Sequence, residues 1–276
     1  MNSTSNMLSS WMGNAYENDI YRSAVDAIAR NAAKLKGSHV VKYGNHTKCE
    51  GDCKLNRLLQ VQPNTYMSAF DMLYKLVTHY LLYNNAFAYI QKDDRGHVSG
   101  IYPIKALNVQ FLLDRSENLY CKFLFDAGNE AILPYSEIIH LRRNFNDNDL
   151  FGTANTALYP ALELAHTQNK GMSASIKSSA NIRGILKFTQ IMAPEKLKQE
   201  KENFIKDYLQ IANNGGIVAT DQKTEYIPIT GGNLVIDDKQ IWAIKTKIYD
   251  YLGISEKIVN SSYNEDEWAA FYESTI

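Results

Sequence analysis

The stretch from Phe70 to Ile104, "FDMLYKLVTHYLLYNNAFAYIQKDDRGHVSGIYPI", decides the fold class. Its first half repeats apolar residues at helical spacing, with Phe70, Leu73, Val77, Tyr80 and Leu81 on one face. Asn84 and Asn85 sit where that helix must end, and asparagine tolerates the left-handed backbone that closes a helix. The second half reads as two strands around an Asp-Asp-Arg-Gly turn. Lys75, His79, Asn84 and Asn85 interrupt the run too often for it to span a bilayer.

Upstream, Pro63 and Asn64 form a turn, and Thr65 or Ser68 is placed to cap the helix. An earlier helix is expected from Arg22 to Lys36, on the spacing of Val25, Ile28, Ala29, Ala32 and Leu35, with Gly37 ending it. Residues 1–21 are expected to be disordered, "HVVKY" to be a strand and "GNHTKCEGDC" a polar turn. Downstream come four short strands, "VQFLL", "LYCKFLF", "AILP" and "IIHLR", with turns at Asp114–Asn118 and Asp126–Asn129. This pattern is α+β, without the regular alternation of a parallel sheet.

The second half changes character after the polar loop "RNFNDNDLFG". A long helix is expected from Asn155 to Ala180, with a thin apolar stripe at Leu158, Leu162, Ala165 and Ile176 among many small residues. "IRGILKF" is a strand, and Pro194 opens a charged helix to about Leu209. "GGIVAT" and "TEYIPI" are strands. A helix capped by Asp237 or Asp238 then runs through Ile241, Ile244, Ile248 and Leu252 to Gly253. A polar stretch follows, and a new amphipathic segment opens around Glu265.

The 276 residues carry 29 basic and 30 acidic side chains, a net charge of −1. Tight, non-specific gripping of nucleic acid needs a basic excess, so that class is excluded. Three cysteines argue against a disulfide framework and for a reducing environment. Eighteen tyrosines put polar tips on apolar surface, as at interfaces. The first residues lack the basic start and apolar core of a secretory signal.

Catalytic signatures are missing. There is no phosphate loop, no dinucleotide fingerprint and no nucleophile elbow. His46, Cys49 and Cys53 in "HTKCEGDC" are metal-ligand types at loop spacing, but a structural zinc site takes four ligands and only three stand here. Glu163 and His166 share a helix face without the second histidine of a metalloprotease, and Asp147 with Asp149 forms an acidic loop. No cofactor is implied.

Taken in order, several of these stretches resemble the portal proteins of tailed bacteriophages, the head–tail connector family. "LLQVQPNTYMSAFDMLYKLVTHYLLYNNAFAYIQKDDRGHVSGIYPI" is similar to the family's Pro-Asn turn, helix, strand and hairpin. "EIIHLRRNFNDNDLFGTANTALYPALELA" resembles its strand, variable loop and long helix. "IRGILKF", the Pro194 helix and "NNGGIVATDQKTEYIPI" resemble the next block, and "KIYDYLGISEKIVNSSYNEDEWAAFYESTI" the last. Departures are Asn84 for a usual Gly, Ala154-Asn155 for a usual Ser-Pro, and Ser255 for a usual Pro.

The resemblance implies a division into a wing (22–152), a first stem helix (153–182), a clip (183–236), a second stem helix (237–253) and a tunnel loop (254–266). The stem helices would pack through Leu158, Leu162, Ala165, Ile176, Ile241, Ile244, Ile248 and Leu252. Lys257, Asn260, Ser261, Ser262 and Tyr263 of the tunnel loop would meet DNA. The helix over 267–276 would continue in the family, so the chain is expected to be C-terminally truncated relative to it. The implied function is a non-enzymatic, dodecameric ring at the capsid vertex that passes double-stranded DNA. Its implied partners are the terminase large subunit, head-completion or adaptor proteins and the major capsid protein or scaffold, with assembly in the bacterial cytoplasm and no membrane. Two other readings stay open on the residues alone: an enzyme on an α+β scaffold, and a monomeric adaptor or metal-binding module around His46, Cys49 and Cys53.

Overall fold

A computed structural model of the chain describes residues 4–6, 15–44, 46–48, 53–146, 148–179, 184–188, 193–208, 224–228 and 238–276. In chain order its elements begin with β1 (Thr4–Asn6), α1 (Asp19–Ala32), β2 (Val41–Tyr43), β3 (His46–Lys48), α2 (Cys53–Gln60) and α3 (Ala69–Tyr83). Then come β4 (Asn85–Lys92), β5 (Val98–Ile104), β6 (Asn108–Leu113), β7 (Leu119–Leu124), β8 (Glu130–Pro134) and β9 (Ile138–Arg142). The remainder is α4 (Tyr159–Ser179), β10 (Gly184–Phe188), α5 (Pro194–Tyr208), β11 (Thr224–Pro228), α6 (Asp238–Leu252), α7 (Glu256–Val259) and α8 (Glu265–Thr275). The chain divides into one unit made of Met1–Ala165 with Trp242–Ile276, and a second made of His166–Ile241.

Every described strand pairing is antiparallel, which gives the α+β class read from the turns. In the first unit one sheet has the order β1-β6-β7-β8 and another β5-β4-β9, with β2 and β3 as a hairpin. The second unit contains the antiparallel β10-β11 pair, with α5 between the two strands in the chain. The sheets share a core of Phe87, Phe111, Phe123 and Phe151. Met72, Leu76, Ala86, Ala88 and Ile101 pack α3 on β4 and β5. A helical core joins Tyr21, Val25, Leu81, Leu158, Leu162, Ile248, Leu252 and Ile258. No helix among the described residues is long and apolar enough to cross a membrane.

Several boundaries differ from the sequence reading. The segment expected to be disordered, 1–21, contains β1, which pairs with β6, and the fully buried Tyr21. Helix α1 starts three residues early because the Asn18 side chain accepts the Tyr21 N–H at 3.0 Å. It ends at Ala32 rather than Gly37, and Leu35 is exposed. Within "GNHTKCEGDC", β3 pairs with β2. On α3, Phe70 is exposed, and the buried ridge is Met72, Leu76 and His79. A helix apolar almost all round does not tell from spacing which side meets a sheet. Ser68 caps α3 in a reciprocal box with Asp71.

The chain reversal after α3 is tied by side-chain hydrogen bonds from three parts of the chain. Asn84 closes α3 in the left-handed region at φ +54°. Its side-chain amide donates to the Thr153 carbonyl and, at 2.7 Å, to Asn155 Oδ1. Asn155 returns its own amide to the Leu81 and Leu82 carbonyls at 2.9 and 3.1 Å, satisfying groups that the end of α3 leaves open. Tyr251 donates its hydroxyl to Asn155 Oδ1 at 2.7 Å, which brings α6 to the same point. Asn85 grips Gly152 from both sides, accepting its N–H at 2.9 Å and donating to its carbonyl at 3.2 Å. Asn84 and Asn85 are buried, and so is Asn155.

Gly152 is required there by space. A Cβ at this position would lie 2.3 Å from the carbonyl oxygens of Arg143 and Asn84, both backbone atoms that cannot swing away. Gly152→Ala is expected to cost more than about 3 kcal/mol by forcing this backbone apart. Urea unfolding of the variant beside the parent checks the value.

A buried histidine, His79, and a half-buried one, His140, sit close to this reversal. His140 stacks on Phe87 at 4.2 Å between centroids, with Nε2 3.1 Å from Asn85 Oδ1 and Nδ1 3.3 Å from the Tyr135 hydroxyl. Asn85 Nδ2 faces two carbonyls, so its Oδ1 accepts, and the imidazole proton belongs on Nε2. Burial, helped by the Arg142 charge, pushes His140 down to about 3. Burial pushes His79 down to about 4, with the Lys75 and Lys105 charges adding to it. Both rings are neutral when folded, while the unfolded chain takes up their protons near pH ~6.5. Stability is therefore complete above that pH and falls below it, by about 1.4 kcal/mol per pH unit for each histidine. Chemical denaturation in steps from about pH 7 to pH 5 is expected to show that slope, and His140→Gln to halve it, leaving the part due to His79.

Candidate functional site

The segment linking α6 to α8 holds the residues expected to face DNA, and it is folded rather than an open loop. Gly253 leaves α6 at φ +72°. The Ile254 N–H reaches the Tyr249 carbonyl and the Gly253 N–H the Asp250 carbonyl, both at 3.1 Å, the paired bonds of a Schellman stop. Ser255 then caps the single turn α7, and Ile258 is buried beneath it. The same device ends α7: the Ser262 N–H meets the Lys257 carbonyl at 2.8 Å and the Ser261 N–H the Ile258 carbonyl at 3.2 Å. Here the left-handed residue is Ser261, at φ +56°. Asn264 and Glu267 form a reciprocal capping box that starts α8.

The side chains are largely engaged with each other. Lys257 pairs with Glu267, and Lys245 with Glu256. The Lys257 ammonium, followed by the Asn264 backbone N–H, holds the Glu267 carboxyl below the usual carboxylate range. Asn260 donates to Glu256 at 3.4 Å. Tyr263 stacks on Trp268 at 4.7 Å and 19°. Ser261 and Ser262 are exposed. From Ile254 to Glu267 the acids Glu256, Glu265, Asp266 and Glu267 outnumber the single base Lys257, a formal charge of −3.

Helix α8 is fixed on its other side by α1. Tyr272 donates to the Asn31 carbonyl at 3.5 Å, and the Lys34 ammonium lies 5.8 Å from the Trp268 ring centre. Thr275 donates to the Gly253 carbonyl at 3.0 Å. Between α6 and α8 this leaves an apolar groove of about 580 Å³, walled by Trp242, Thr246 and Tyr249 on one side and Ala270 and Phe271 on the other. Asp250, Glu256, Lys257 and Glu267 also line it. Trp242 is 61% exposed.

The stem-helix residues divide into two sets. Leu158, Leu162 and Ala165 of the first stripe are buried in the helical core, as are Ile244, Ile248 and Leu252 of the second. Ile241 is half-buried, and Ile176 is 66% exposed. Of the metal candidates, Cys49 lies outside the described residues. His46 falls in β3 and Cys53 opens α2, and their side chains are likewise outside the description. Among the described residues no group of three His, Cys, Asp or Glu could hold a metal. Cys121 is buried in the sheet core, and burial pushes its thiol up to about 12. "GGIVAT" and the Asp237 cap also lie outside the described residues.

The family described as Phage portal protein matches the sequence over residues 19–276. The chain belongs to the phage portal protein family. No curated protein matches it. Among solved structures, a chain from the virion of a native gene transfer agent particle matches with a TM-score of 0.72 at 15% identity, covering 97% of this chain and 75% of its own length. A chain from the neck of the native particle, computed with C12 symmetry, gives 0.72 and 15%, over 98% of this chain and 76% of that one. An HK97-family phage portal protein from Corynebacterium diphtheriae gives 0.56 and 10%, over 95% and 83%. At these identities the likeness is one of fold.

Sequence reading of this portal protein missed α7 and the groove. The Asn264-x-x-Glu267 box was legible as a helix start. Ser255 ahead of a four-residue helix was not, because so short a turn has no periodicity. The left-handed serine generates a test. Ser261→Gly removes a Cβ penalty of about 1 kcal/mol and is expected to raise stability by up to that amount. A rise in the urea midpoint at unchanged slope checks it.

Proposed function

We propose that this phage portal protein is a subunit of a ring, dodecameric as in the C12 neck it resembles, that stands in the virion at the capsid vertex and passes double-stranded DNA. The observation that carries this reading is the family match over 19–276 together with a fold likeness that spans nearly the whole chain. The chain is a conduit component with no catalytic step of its own. In this reading 22–152 is the wing, 153–182 and 237–253 are the stem helices, and 183–236 is the clip. The clip would present the docking face for the terminase large subunit and later for head-completion or adaptor proteins. The major capsid protein or scaffold would surround the ring, which assembles in the bacterial cytoplasm.

The segment 254–266 would border the channel. Lys257 is already neutralised by Glu267, and the surrounding charge is negative. Duplex DNA carries about one phosphate charge per 1.7 Å, so such a surface repels it at close range, within a Debye length of about 8 Å. A lining that does not hold phosphates lets DNA slide. Ser261, Ser262 and Asn260 offer weak neutral hydrogen bonds in place of ion pairs.

Electron microscopy of the purified chain tests the reading. Rings with a central hole are expected, twelvefold in projection, with 260–263 at the lumen in a reconstruction. Monomers at every concentration would overturn the ring, and rings carrying 260–263 on their outer rim would remove the channel role.

A further inference from the structure

A closed ring built from identical subunits needs two different, complementary patches on each subunit, because a head-to-tail contact joins one patch to the other. The first unit offers such a pair. One patch is the groove between α6 and α8, concave and mainly apolar, with Trp242 61% exposed, and lined also by Asp250 and by Glu256 and Glu267, which are paired with Lys245 and Lys257. The other is a knob at the end of β9. The Arg142 guanidinium lies over the Phe145 ring, 4.2 Å from its centre, and donates to the Asp149 carbonyl at 3.3 Å. Phe145 is 50% exposed and Arg142 is exposed as well. The knob is exposed, aromatic and cationic, and the groove is concave and mainly apolar, with the Asp250 carboxylate in its lining.

Their placement on α6 is what a ring requires. The knob's segment is anchored to Tyr251: the Arg143 guanidinium sits 5.4 Å from the Tyr251 ring centre and donates to the Tyr251 carbonyl at 3.0 Å, and Asn144 reaches the Tyr251 hydroxyl at 3.5 Å. At 100° per residue, the groove residues Trp242, Thr246, Tyr249 and Asp250 centre roughly 150° around α6 from Tyr251. Knob and groove therefore flank α6 on opposite sides, and one molecule cannot fill its own groove with its own knob.

We propose that the α6–α8 groove receives the Arg142–Phe145 knob of a second copy of this chain, with Phe145 seated against Trp242 and Arg142 facing Asp250. The proposal rests on the ring reading and names the surfaces that close it. A groove of about 580 Å³ is within the range that accepts compact aromatic groups. Exposed aromatic and arginine side chains are the residue types that dominate interface energies. The Arg142–Asp250 charge pair gives the contact a direction and makes it salt-sensitive.

The test uses two variants of the full chain, Phe145→Asp to disable the knob and Trp242→Asp to disable the groove. Both positions are exposed, so each variant should melt as the parent does, checked by circular dichroism. Sedimentation velocity then reads assembly. The parent forms rings, and each variant alone loses them by about tenfold or more in ring fraction. Mixed in equal amounts, the variants form one-to-one dimers and no rings, because the mixture contains only one intact pair of patches. Rings from either variant alone, or a mixture that stays monomeric while the parent assembles, overturn this interface and leave the ring reading standing. A parent that never leaves the monomer overturns both.

Discussion

The fold hangs on one buried amide. Asn155 Oδ1 accepts from Asn84 and from Tyr251, and its amide nitrogen donates to the last carbonyls of α3. The three elements it joins are far apart in sequence: the α3–β4 reversal, the start of α4 and the end of α6. Each buried polar group in such a place costs about 1–3 kcal/mol when left unpaired. The amide nitrogens of Asn84 and Asn155 are paired here, while Asn84 Oδ1, Thr153 Oγ1 and Arg143 Nη1 stay buried without a hydrogen-bond partner among the described residues, so the bonds that do form also offset the cost of those that do not. Gly152 is the steric counterpart. It lets the 143–155 segment approach Asn84 and Asn85 closely enough for those bonds to form.

Much of the fold was legible because local rules and tertiary packing agree at the right places. The Asn84 stop, the Ser68 start, the hairpin after Asp93 and the strands from Asn108 to Arg142 follow from turn chemistry alone. What escaped was set by partners distant in sequence. Strand β1 is three polar residues whose only signal is the β6 edge they pair with. Phe70 has the composition of a core residue, yet the sheet lies on the Met72 side of α3. Asn155 looks like a helix cap in the sequence. The structure gives it no capping bond to its own helix and uses the side chain as a crosslink.

The candidate site was legible in position but less so in character. A polar stretch after a glycine stop reads as an exposed loop, and most of its polar groups are in fact consumed at home. Two Schellman stops and a capping box close the turns between Leu252 and Glu265. Asn84 and Ser255 depart from the residues usual in the resembled family, and each keeps the geometry by another route. Asn84 adopts the left-handed backbone expected of glycine, and Ser255 begins α7 through its side chain.

The first unit is assembled from two pieces of chain, Met1–Ala165 and Trp242–Ile276, with His166–Ile241 interposed. Its closure includes the bond from Tyr272 to the Asn31 carbonyl, between residues 241 apart. Folding of this unit therefore has to wait until the interposed segment has been synthesised, because α8 cannot meet α1 earlier. The entropic cost of closing a loop rises only with the logarithm of its length, so doubling the interposed segment would add about 0.6 kcal/mol. Such a chain can lengthen, shorten or exchange its middle portion at little thermodynamic cost, while the residues that join its two ends remain constrained.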